Sequence, residues 1–94
     1  VQRSRRDIES ALERKGFQRH EGDHSRFVYH TTDGKKTPIK TMTSHGSGGR
    51  SIGDPLLGQM AKQCYLTKQD FLSLVDCPLD REGFEAKARE RGGI

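Results

Sequence analysis

Ser25-Arg26-Phe27-Val28-Tyr29-His30-Thr31 is the stretch whose reading decides the fold. Phe27, Val28 and Tyr29 are strand formers. Gly22-Asp23 before the stretch and Asp33-Gly34 after it are turn dipeptides. A strand bounded by two tight turns has an antiparallel neighbour on each side. Those neighbours are the extended segments Phe17–Glu21 and Thr37–Met42, so the reading is a three-stranded antiparallel meander with Ser25–Thr31 in the middle. Side chains alternate faces along a strand. With Phe27 and Tyr29 toward a core, His24, Arg26 and His30 point the other way, and Ile39 inward turns Lys40 outward. Val28 breaks the alternation of apolar and polar residues.

Helices flank the meander. Ser4 and Asp7 form a capping-box pattern ahead of Ile8, Ala11 and Leu12, which share one helix face, and Gly16 ends that helix. After the meander comes a Gly/Ser-rich loop, Thr43–Gly53. Asp54 is the expected cap of a second helix, with Pro55 at its first position and an apolar stripe through Leu56, Leu57, Met60, Ala61 and Cys64. Thr67 and Asp70 open a third helix carrying Phe71, Leu72, Leu74 and Val75. A last, strongly charged helix is expected over Asp80–Arg91 after Pro78, its charges a solvated face. The fold class is α+β, α-β-β-β-α with additional C-terminal helices. Helices on one side of an antiparallel sheet leave the other side free.

Composition sets bounds on function. The chain has 94 residues, enough for one domain, and only 30% are apolar against 32% charged. Such a core does not enclose a deep, dry cavity, so a working site is expected on a surface or shallow groove. A net charge of +4 permits a polyanionic partner without demanding one. No apolar run reaches the ~18 residues of a membrane span. Cys64 and Cys77 lack a C-x-x-C pattern; a single disulfide between them stays open, with two free thiols of a reducing cytosol the first reading and Cys64 as core packing.

His24 is the first candidate for chemistry. It opens the central strand on the outward face, and histidine as a residue type exchanges protons near neutral pH. Cleaving RNA needs a base for the 2′-hydroxyl, an acid for the leaving 5′-oxygen and cations to offset transition-state charge. RNA brings its own nucleophile, so no metal is obligatory. An ordinary surface histidine would sit equally well at such a turn, and both readings stay open at this point. His20 and His24 are four residues apart, but on a strand and turn that spacing does not bring both rings to one point as it would on a helix; no zinc-finger spacing is present, and no cofactor is expected. The His45–Gly53 loop, with Arg50, reads either as a phosphate cradle or as a connector. It lacks the Gly-Lys-Ser/Thr of a P-loop.

Lys15-Gly16-Phe17 closing the first helix, followed by Gly22-Asp23-His24 and then Phe27 and Tyr29, resembles the HicA toxin family over roughly Ile8 to Val75. That resemblance implies a dsRBD-like fold and a metal-independent endoribonuclease that cleaves messenger RNA in the cytoplasm. It carries the catalytic role onto His24 and implies a HicB-like antitoxin protein that blocks the site. Arg26, His30, Lys40, His45 and Arg50 are then the expected assisting or RNA-binding residues. The family's Pro-x-His after the third strand is replaced by Thr41-Met42-Thr43-Ser44-His45, and the loop that follows is longer. On this reading residues 1–94 form one domain, with its core over about 4–75 and a helical extension over about 78–94. Two alternatives use the same fold: a non-catalytic RNA-binding module and a protein-interaction domain.

Overall fold

A computed structural model describes residues 2–22, 24–44, 51–76 and 78–94, the side chain of Ser44 excepted. After a short strand β1 (Arg3–Ser4), helix α1 spans Arg5–Arg14. The Ser4 hydroxyl accepts from the Asp7 amide at 3.3 Å, the cap its sequence predicts. Ile8, Ala11 and Leu12 are fully buried on the inner side of α1. Gly16 follows with φ +98°, the left-handed conformation that ends a helix without Cβ strain. A Cβ there would also lie 2.5 Å from Nε of Arg81, so the guanidinium would have to shift to admit it.

Strands β2 (Phe17–His20), β3 (His24–His30) and β4 (Lys36–Ser44) form one antiparallel sheet in the order β2-β3-β4. The expected meander is present, with β3 starting one residue earlier and β4 reaching further at both ends. Asp33-Gly34 makes the β3–β4 turn: Gly34 has φ +86° and its amide donates to the Thr31 carbonyl at 2.9 Å. Along β3–β4, Val28 stands opposite Lys40 while His30 stands opposite Lys36, so β4 uses residues 36–40 where β3 uses 28–30. Pro38 sits in this bulge on an edge strand, where its missing N–H costs no ladder bond.

A second, two-stranded pairing joins β1 to β5 (Ser51–Ile52), Arg3 opposite Ile52. It has no sequence signal, because two residues are too few for a period. Helix α2 spans Asp54–Gln63, α3 Lys68–Asp76 and α4 Arg81–Glu90. The cap of α2 is Gly53 rather than Asp54, with no side-chain capping bond; Asp54 lies inside the first turn and pairs with Lys68 at 3.4 Å. Thr67 caps α3 by accepting from the Asp70 amide at 3.1 Å, and Asp80 caps α4 by accepting from Gly83 at 2.7 Å.

The helices cover one side of the sheet. Helix α1 packs on β2, α2 on β4, and α3 on both helices. Their apolar faces meet Phe17, Phe27, Tyr29 and Ile39. Helix α4, expected as a charged extension, inserts Phe84 and Ala88, both fully buried, into that same cluster. The Phe84 ring meets Tyr29 edge-on at 4.8 Å and Phe17 at 5.4 Å. Arg81 ties α4 to the end of β3, its Nη2 donating to the His30 and Thr31 carbonyls at 3.0 Å each. Lys15, nearly buried, donates to the Leu74 and Leu79 carbonyls at 3.2 and 2.6 Å and holds the end of α1 to the α3–α4 link. Cys64 is free and fully buried, and burial pushes its thiol up to about 12. No helix among the described residues is long and apolar enough to cross a membrane.

Candidate functional site

Strand register divides the sheet into two chemically different faces. The odd-numbered residues of β3, Ser25, Phe27 and Tyr29, are buried toward the helices. The even-numbered ones face outward, together with their cross-strand partners. Arg26 stands between His20 on β2 and Met42 on β4. Val28 stands between Gln18 and Lys40, and His24 opposite Ser44. The even positions of all three strands contain no Asp or Glu at all. They hold Arg26, Lys36 and Lys40, with His20, His24 and His30 interspersed.

Val28 keeps the period of two after all. It points outward with Arg26, and its apolar side chain is only 9% exposed because neighbouring strands crowd it. It forms part of an open depression of about 450 Å³ whose walls include His20, Arg26, Lys36, Pro38 and Lys40. Among the described residues, none of the side chains of His20, Arg26, Lys36 and Lys40 enters a salt bridge or hydrogen bond. A concentration of positive charge without carboxylates raises the local potential and draws anions to it.

His24 is exposed at the start of β3, on the same face and two residues from Arg26, but outside the walls of the depression. Arg26 and Lys40 are brought together as part of those walls. His30 is not: its Nδ1 lies 3.1 Å from the Val28 carbonyl, and its side chain borders a separate hollow with Glu13, Gln18 and Arg81. His45 and Arg50 lie outside the described residues. His20 and Lys36 join the site without having been selected from the sequence. The signal for His20 was available, since counting by twos from buried Phe17 sets it outward. Among the described residues, no three His, Cys, Asp or Glu side chains converge to hold a metal ion.

The helix-covered side of the sheet has the opposite electrostatics. Arg19 lies across from Phe27 and bonds Glu21, Glu13 at 3.2 Å and Glu9 at 3.2 Å. These bonds, Glu21 first, raise the guanidinium above its ordinary value. Glu9, nearly buried, also accepts from the Thr43 hydroxyl at 2.5 Å. At the other end, Tyr29 donates to Glu85 at 2.6 Å; burial first, and then this bond, push the phenol up to about 12.

Comparison of the chain with protein-family models, with curated proteins and with solved structures finds no match.

Proposed function

We propose that this chain is a metal-independent endoribonuclease of the HicA type, a dsRBD-like domain that cleaves messenger RNA in the cytoplasm with His24 as its proton-transfer residue. The observation that carries the reading is the outer sheet face: exposed His24 shares it with Arg26 and Lys40, and among the described residues no carboxylate of the three strands competes there with a phosphate. A histidine takes the proton of the RNA 2′-hydroxyl, and that oxygen attacks the adjacent phosphorus in line. The bond from phosphorus to the 5′-oxygen breaks, a proton is delivered to that oxygen, and the products are a 2′,3′-cyclic phosphate and a 5′-hydroxyl. Cations on the same face offset the charge that builds on the phosphoryl oxygens.

The assay is incubation of the purified chain with RNA in the presence of EDTA, followed by end-group analysis. Cyclic phosphate ends, resistance of DNA, and protection of a linkage by a single 2′-deoxyribose are the expected results. Arrest by chelation, or products with 5′-phosphates, would replace the reading by metal-assisted hydrolysis. A toxic nuclease must be silenced in the cell that makes it, so a HicB-like antitoxin is expected to cover His24 with acidic residues against Arg26 or Lys40, giving a salt-sensitive association rate. An interface confined to the helices would refute that partner.

One observation favours a second reading. The depression lies beside His24 rather than beneath it, as suits an RNA-binding module that does not cut. Retention of RNA without cleavage in the same assay identifies that case.

A further inference from the structure

We propose that the depression bounded by His20, Arg26, Val28, Lys36, Pro38 and Lys40 is a subsite for one nucleotide of single-stranded RNA, next to the position of cleavage. The inference rests on the preceding reading of the outer face as the face that meets RNA, and it adds the form of the substrate and the residues that hold it.

Charge is the first argument. Arg26, Lys36 and Lys40 come from two adjacent strands and converge on one hollow, with no Asp or Glu among its described lining residues. Phosphate contacts of this kind supply most of the affinity for nucleic acid. The floor is the second argument. Val28 and Pro38 put apolar surface inside a ring of cations. A phosphate has no use for such a floor, whereas the flat face of a base does, and His20 and Arg26 offer planar groups beside it.

Size and position are the third. About 450 Å³ falls within the ~300–1,000 Å³ usual for small-ligand sites, and the hollow is open, so a strand can enter and leave. Arg26 is two residues along β3 from His24, roughly 7 Å on the same face, about one step of an extended nucleotide chain. A duplex keeps its bases stacked and paired. It can offer phosphates to the rim but no base to the floor.

The test uses the wild-type chain and a short fluorescent single strand with 2′-O-methyl riboses, which 2′-hydroxyl chemistry cannot cut. Anisotropy titrations at several salt concentrations give affinity and salt slope. Arg26→Ala and Lys40→Ala should each weaken binding about tenfold at low salt and lower the slope by ~0.7. Lys36→Ala and His20→Ala should cost about threefold. Arg6→Ala and Lys62→Ala, which remove the same charge from exposed positions on α1 and α2, should change affinity less than about twofold. A probe of equal charge with abasic positions should bind about fivefold or more weakly than the intact strand. Backbone amide resonances of Val28, Lys36 and Lys40 should move on titration.

Equal binding of duplex and single strand, equal binding of the abasic probe, equal losses in the helix variants, or equally tight binding of a glutamate-rich peptide each overturn the subsite. The two readings fail separately. If the binding results hold and no RNA is ever cut, the cleavage reading falls and the subsite stands. If RNA is cut at the full rate by Arg26→Ala and by Lys40→Ala, the subsite falls and the cleavage reading stands.

Discussion

Arg19 and Arg26 belong to neighbouring strands, one on each face of the same sheet, and their surroundings differ in kind. Arg19 meets three carboxylates, Glu9, Glu13 and Glu21, and lies 5.5 Å over the Phe27 ring. Arg26 has His20 and Met42 across from it and, among the described residues, no acid on its face. The same side chain is therefore a structural tie on one face and an available cation on the other. What decides between the roles is the set of neighbours that strand pairing supplies. The tied arginine holds α1 against β2; the available one can neutralise a phosphate that comes from outside.

The largest effect that would sharpen this contrast is catalytic. His24→Ala should lower the rate of RNA cleavage by about 10²–10⁴-fold, the usual contribution of a positioned proton-transfer group. Stability should change by less than ~0.5 kcal/mol, because the side chain is exposed. Cleavage assays alongside thermal melts check both. Undiminished cleavage would remove His24 from the mechanism and leave the outer face a binding surface only.

Stability effects should belong to the other face. Glu9→Ala removes a partner of Arg19 and of the nearly buried Thr43 hydroxyl. Arg19 keeps Glu13 and Glu21, but leaving the buried Thr43 hydroxyl unpaired should cost ~1–3 kcal/mol, read from urea unfolding. Affinity of the folded variant for RNA should stay near the wild-type value. A large loss of RNA affinity in the folded variant would show that the two faces are coupled.

Acid should act on the same helix-covered face. The Glu85 carboxyl is held below its usual 4.5 by the hydrogen bond from Tyr29, with burial opposing and the Thr32 amide and Arg89 adding to it. Its proton affinity is thus lower folded than unfolded. The stabilisation is fully present above the unfolded-state value and is lost as pH falls through the folded-state value. Melting temperatures below about pH 4.5 should fall more steeply for the wild type than for Glu85→Gln. Parallel curves for the two proteins would mean that the Tyr29–Glu85 bond contributes nothing that pH can remove.

The smallest effect is the stability change on Arg26→Ala, expected within ~0.5 kcal/mol because no partner is lost. Urea unfolding of this variant beside Glu9→Ala tests the contrast directly. A cost as large as that of Glu9→Ala would mean that Arg26, too, is a structural residue.

Local signals in the chain determined a good deal. Turn dipeptides, cap residues and the period of two act within a few residues, so the meander, the ends of α1 and α3, and the outward placement of His24, Arg26 and Lys40 were legible in Ser4–Asp70. The even-numbered outward face was legible too, although the apolar character of Val28 obscured it. Tertiary structure decided what depends on register and on distant packing. Which cations share a hollow follows from the pairing of His20 with Arg26 and of Val28 with Lys40, and from the bulge at Pro38 that brings Lys36 beside them. His30 has the same parity as Arg26 yet borders another hollow, one it shares with Arg81 from α4, whose guanidinium donates to the His30 carbonyl. The helix that reads as a charged extension belongs to the core through Ala88 and through Phe84, whose ring partners Phe17 and Tyr29 lie more than fifty residues away along the chain. Periodicity measures which residues of one segment share a face; it carries no information about which segment will cover that face.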